Sequence, residues 1–198
     1  MRYVALGDSY TIGTGVAAAD RFPDQLVRAT PELGLELVAN LGINGFTTAD
    51  LIRDELPQLH GLAPDVVTLL IGVNDVVQGI PTATYGSNVA EILDVLGARL
   101  PPERIVTISI PDYTVTPAGG DYGDPADQHD GIVAANAVMA RLAAEHGIAF
   151  VDIFDLSLRA AADRALVAAD GLHPSGAQYG LWVERIAPVV EGLVRRER

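Results

Sequence analysis

Cysteine is absent from the sequence, and so is lysine. Without cysteine there are no disulfides, no thiolate metal sites and no cysteine nucleophile. Without lysine there is no Schiff-base amine, no Walker A lysine and no Ser-Lys dyad. All 13 basic residues are arginine, set against 26 acidic ones, for a net charge of −13. A nucleic-acid partner wants a basic footprint, so none is expected. An anionic membrane surface is disfavoured for the same reason. No apolar run approaches the roughly 20 residues of a spanning helix, so no stable membrane insertion is expected. The first apolar run follows Met1-Arg2 directly and leaves no room for a signal peptide. A cytoplasmic location is therefore the expectation, unless a leader has been removed. What remains is a chain of 198 residues, 49% hydrophobic and 20% charged. That suits one domain, 1–198, with a real core.

Apolar runs of strand length alternate with helix-like stretches. Strands are predicted at 2–7, 35–39, 65–72, 104–110 and 148–153. Helices are predicted within 17–30 and at 47–59, 84–100, 127–146 and 175–196. Leu51, Ile52, Glu55 and Leu59 are spaced for one helical face, with Pro57 placed to end or kink the helix. Thr47-x-x-Asp50 and Ser175-x-x-Gln178 resemble capping boxes. Strands that alternate with helices imply a parallel sheet with right-handed crossovers and helices on both faces, an α/β fold. One long irregular segment, 111–127, interrupts the pattern. A loop of that length in a compact domain is usually functional or disordered.

In such a sheet the loops that follow the strands gather along one edge. Here they carry Gly7-Asp8-Ser9, then Asn40-Leu-Gly42-Ile-Asn44-Gly45, then Gly72-Val-Asn74-Asp75. The loop before the last helix adds Asp170-Gly-Leu-His173-Pro-Ser. Each loop alone reads as turn chemistry. Together they supply a hydroxyl, an imidazole, a carboxylate, an amide and glycine N–H groups. A serine nucleophile needs an imidazole to take its proton. The imidazole needs a carboxylate to fix its tautomer, and the tetrahedral oxyanion needs aimed N–H donors. Asp170 and His173, three residues apart in a tight segment, can be presented by one loop.

These four blocks, in this order along nearly the whole chain, resemble those of the SGNH (GDSL-type) hydrolase family. The resemblance implies a three-layer α/β/α sandwich with a five-stranded parallel sheet, flavodoxin-like in layout. It implies a serine esterase with no cofactor and no metal, acting on a small-molecule ester. Ser9 would be the nucleophile, His173 the general base and then acid, and Asp170 its orienting carboxylate. The Ser9 N–H, the Gly45 N–H and the Asn74 amide would form the oxyanion hole, with Asp8 holding the turn. Tyr10 stands where the family's nickname has leucine. Asn44-Gly45 stands where serine-glycine is common, which leaves Gly42 as a competing donor.

Other motifs carry plainer readings. Gly13-Thr-Gly15-Val-Ala-Ala18 imitates a dinucleotide fingerprint but starts six residues after the strand end. Its glycines are expected to keep the loop beside Ser9 small so that substrate can approach. Acids recur every three residues from Asp121 to Asp130 without a calcium-loop pattern, as helix-start acids do. His60, His129 and His146 read as structural or solvated. Tyr113 and Tyr122, in the long loop, either line a substrate pocket with Tyr10 or face solvent. The same loop is the expected specificity element and a lid candidate. A small acyl ester or acetylated sugar is favoured over lipid. Two rival readings stand beside the esterase: a non-catalytic ligand-binding module of the same fold, and a flavodoxin-like nucleotide or phosphate binder.

Overall fold

The computed structural model describes residues 1–196, so residues 197–198 of the expected domain lie outside the described residues. Five strands form one parallel sheet: β1 (Arg2–Gly7), β2 (Glu36–Asn40), β3 (Val66–Leu70), β4 (Ile105–Ile108) and β5 (Ala149–Val151), in the order β2-β1-β3-β4-β5. Among the described residues nine α-helices lie between and after them: α1 (Ser9–Ile12), α2 (Phe22–Ala29), α3 (Thr48–Asp54), α4 (Leu59–Leu62), α5 (Val73–Val77), α6 (Thr82–Gly97), α7 (Pro125–Glu145), α8 (Phe154–Leu158) and α9 (Gly176–Arg196).

The strand order explains the layers. From β1 the chain steps to one edge, to β2. Every later crossover steps the other way. Right-handed crossovers then place α2 on one face and α3, α6 and α7 on the other. The packing agrees: α2 lies against α9, while α3 packs on α6 and α6 on α7. β1 and β3 are buried on both faces, which is why they read as unbroken apolar runs rather than alternating ones. Truncating one of their leucines to alanine costs about 2–5 kcal/mol. The sheet's switch point lies between β1 and β3, and the crevice beyond their C-terminal ends is where such sheets bind ligands.

The strands fall where the sequence places them, within a residue or two at most ends. Local features sharpen or correct that reading. A one-turn helix begins at Ser9 itself, not further on. Gly72-Val-Asn74-Asp75 is not a loop but opens α5. Pro57 does end the third helix, which stops at Asp54. The long loop closes earlier, because Asp124 accepts the Ala126 and Asp127 N–H groups and caps α7 at Pro125. The Thr47–Asp50 capping box forms in full. The second box forms only by half: Ser175 Oγ accepts the Gln178 N–H, but Gln178 Nε2 donates to the Leu166 carbonyl instead of reaching back. No helix among the described residues is long and apolar enough to cross a membrane.

Candidate active site

The site begins where β1 stops. Gly7 has φ +150°, and a Cβ there would lie 2.1 Å from the Leu70 carbonyl oxygen and 2.4 Å from Thr11 Oγ1. Only glycine lets the chain pass the end of β3 this closely and turn at once into α1. Asp8 caps that helix by accepting the Tyr10 N–H at 3.0 Å. Ser9 is its first residue, so its N–H is one of the donors a helix start leaves without an internal acceptor. Ser9 is 8% exposed and lines a cleft.

The loop after β2 closes against this turn. Asn40 Nδ2 donates to the Thr11 carbonyl at 2.7 Å, and its Oδ1 accepts the Gly42 N–H at 3.2 Å. Gly42 packs on α1, with a Cβ position 2.7 Å from the Asp8 carbonyl oxygen. Its N–H is thus engaged and it does not line the cleft. Gly45 does line it, as does Asn44, whose Oδ1 accepts from Thr14 Oγ1.

After β3, Asn74 lines the cleft from α5. Its Nδ2 donates to the Phe46 carbonyl at 2.9 Å, which fixes the plane of the amide and leaves its second N–H to face elsewhere. Asp75, beside it, is fully engaged: it accepts the Thr48 N–H at 2.9 Å and the Thr48 hydroxyl at 2.6 Å. Asn88 Nδ2 donates to the same hydroxyl. These bonds fasten α5 to α3 and α6, so the aim of Asn74 is set by rigid elements. Sequence reasoning missed Thr48 and Asn88. Nothing in their local patterns signals the contact.

The fourth block is one tight turn. Asp170 Oδ1 accepts the Leu172 and His173 N–H groups at 2.9 and 3.0 Å, while Oδ2 lies 2.7 Å from His173 Nδ1. Partial burial pushes the Asp170 carboxyl up, but these hydrogen bonds and the facing imidazole outweigh it and hold the group below the usual carboxylate range. Gly15 explains itself here. Its Cβ would stand 3.0 Å from Asp170 Oδ2, so it makes room for Asp170 and does not open a path for substrate. Tyr10 meets His173 edge-on, ring centroids 5.7 Å apart, and is backed by Trp182 at 6.3 Å. The residue after Ser9 thus lines the cleft and braces the imidazole's surroundings at once.

The cleft holds about 280 Å³ and brings together Ser9, Tyr10, Gly45, Asn74, Tyr113, Tyr122 and His173, with apolar walls from Val73, Val77 and Leu172. Both loop tyrosines therefore line it. Tyr113 is buried and its hydroxyl donates to Gln128; Tyr122, 44% exposed, stands at the lip 5.9 Å from it. The long loop is tied down: the Ala118 N–H donates to the Gly171 carbonyl, and Asp112 holds Thr114 and His129. His129 and His146 serve such structural pairs, the latter with the Leu142 carbonyl and Asp94. No Ser9–His173 hydrogen bond is formed among the described residues; such bonds commonly tighten only around substrate. Among the described residues no group of three acidic or histidine side chains is placed to hold a metal.

Known proteins resemble this chain in sequence and fold. The chain matches the GDSL-like Lipase/Acylhydrolase family over residues 5–181. A lipase of Streptomyces rimosus is 26% identical over 186 residues, covering 76% of this chain and 69% of that one. The lipase/acylhydrolase of Enterococcus faecalis superposes with TM-score 0.76 at 25% identity, covering 96% and 95% of the two chains. Axe2, an acetylxylan esterase of Geobacillus stearothermophilus, shares the fold with TM-score 0.74 at 21% identity, covering 96% and 93%. With its four blocks on one sheet edge, the chain belongs to the GDSL-like lipase/acylhydrolase family and is a carboxylic ester hydrolase.

Proposed function

We propose that residues 1–198 act as a single hydrolase domain that cleaves small carboxylic esters through an acyl-enzyme on Ser9. The observation that carries this reading is the convergence of Ser9, Gly45, Asn74 and His173, from four separate segments of the chain, on one cleft. His173 Nε2 takes the Ser9 proton as Oγ attacks the ester carbonyl carbon. Asp170, already on Nδ1, offsets the charge the ring gains. The N–H groups of Ser9 and Gly45 and the second N–H of Asn74 receive the oxyanion. The intermediate collapses, the alkoxide leaves with the proton from His173, and Ser9 stays acylated. Water then repeats the sequence and releases the acid. No step calls for a cofactor or metal.

The walls of the cleft support this choice of substrate class. A cavity of about 280 Å³ falls just below the roughly 300–1,000 Å³ typical of small-molecule sites. Its apolar side suits a short acyl chain, and its open side leaves the alcohol free to be large, an acetylated sugar included. The test is hydrolysis of p-nitrophenyl esters of rising acyl length by the wild type and Ser9→Ala. Acetyl to butyryl esters should give the highest kcat/KM, and Ser9→Ala should lose at least about 10³-fold. An inert wild type, or an equally active variant, overturns the reading.

A further inference from the structure

Glu55 lies just past the end of α3 and is fully buried. Its Oε2 accepts the Gly7 N–H at 3.0 Å, the last backbone donor before the Asp8-Ser9 turn. Its Oε1 has no hydrogen-bond partner. Asp8 repeats the pattern: it is fully buried, Oδ1 takes the Tyr10 N–H, and Oδ2 has no partner. Two ionised carboxylates in this setting are costly, because burial removes their water and like charges repel. Single backbone hydrogen bonds, from Gly7 to Glu55 and from Tyr10 to Asp8, offset only part of that cost. The charges that act on Glu55 are Asp8 and, on its own element, Asp54; Asp75 on α5 acts on Asp8. The neighbouring phenol of Tyr85 on α6, also buried without a partner, feels Asp75 and Asp8. None of these carries a positive charge. Burial, with the like charge of Asp8 behind it, raises Glu55 to about 9, and burial raises Asp8 to about 7.

We propose that Glu55 is a positioning residue for the nucleophile that works as a neutral acid: one carboxyl oxygen holds the Gly7 N–H, and the proton it keeps limits the Glu55–Asp8 pair to a single negative charge. This rests on the reading of Ser9 as nucleophile. When both groups ionise, repulsion drives the end of α3 from the Gly7–Ser9 turn. The hydroxyl then loses its register with His173 and Asn74. The site therefore carries an alkaline limit that originates outside the catalytic groups.

The experiment compares wild type, Glu55→Gln and Glu55→Leu by kcat and KM on p-nitrophenyl butyrate from pH 6 to 10, and by Tm over the same range. Glutamine copies the neutral acid: its carbonyl accepts the Gly7 N–H and it cannot ionise. It should keep kcat at pH 7 within about threefold and abolish most of the alkaline fall. Leucine cannot accept that bond and should lose about tenfold or more in kcat with little change in KM. The thermal arm does not depend on activity. A carboxyl raised in the folded state binds its proton there while the unfolded chain has released it. Wild-type stability therefore falls as pH rises from the ordinary glutamate value toward about 9. Glu55→Gln should flatten that slope. The proposal is overturned if glutamine is as damaging as leucine at pH 7, if neither matters, or if the alkaline fall and the Tm slope survive in Glu55→Gln. Should leucine fail to fold, the glutamine arms decide. A wild type inert on every ester would sink the acyl-enzyme reading alone, because the Tm slopes still report the proton on Glu55.

Discussion

Asp170→Asn separates orientation from architecture in the 170–173 turn. Asparagine keeps an oxygen for the Leu172 and His173 N–H groups, now at 2.9 and 3.0 Å. The turn should survive. At the other position the substitution puts an NH2 where Oδ2 lay 2.7 Å from His173 Nδ1. A donor there demands an unprotonated Nδ1, so the ring proton moves to Nε2, the nitrogen that accepts from Ser9 in the proposed mechanism. The variant also lacks the charge that offsets the imidazolium. Loss of an orienting carboxylate by this route costs about 10³–10⁴ in kcat, or about 4–5.5 kcal/mol of barrier. Stability is another matter. The Asp170 side chain is 34% exposed, so solvent screens the pair and its loss should cost below about 1 kcal/mol. The assay is steady-state hydrolysis of p-nitrophenyl butyrate beside thermal unfolding. A collapse of kcat with Tm and KM nearly unchanged supports the reasoning. Wild-type kcat in Asp170→Asn refutes it, and so does an equal loss of Tm, which would make Asp170 a fold residue only.

Asn74→Ala should lose about 10²–10³ in kcat with KM little changed, since in the proposed mechanism its second N–H acts on charge present only in the transition state; unchanged kcat removes it from the oxyanion hole. Tyr122→Ala opens the cleft lip and should shift preference toward longer acyl chains. Because that side chain is 44% exposed, stability should move by no more than about 0.5 kcal/mol, and an unaltered acyl profile would place Tyr122 outside the substrate path. The lowered pKa of Asp170 has a stability signature too. The charged form is favoured in the fold, so its contribution is present above the ordinary aspartate value and lost only as pH falls through the lower folded one. Thermal unfolding of Asp170→Asn should converge with wild type at acid pH; a gap that widens there contradicts the sign.

Much of this was legible from residue type and spacing. Strands buried on both faces betray themselves as apolar runs, so β1 and β3 were readable, and with them the edge where the four blocks meet. One-turn helices leave no such trace. α1 and α5 are too short for a helical period to show, yet they carry Ser9 and Asn74. Contacts across the chain were hidden as well. The apolar spacing that runs through Leu51 and Ile52 to Glu55 was visible, but not that the Glu55 carboxyl meets Gly7, 48 residues away. Gly15 read as space for substrate because local sequence cannot reveal Asp170 arriving from the far end. Gly45 is the proposed donor over Gly42 because the Asn40 side chain takes the Gly42 N–H, a contact local sequence does not reveal.

The central claim is that Ser9 becomes acylated, and covalent trapping tests it most directly. The protein is treated with a fluorophosphonate and the adduct is located by peptide mass spectrometry. A single adduct on Ser9, lost in Ser9→Ala and slowed in Asp170→Asn, is the expected result. An adduct on Ser109 or Ser175, or persistent labelling of Ser9→Ala, would contradict it.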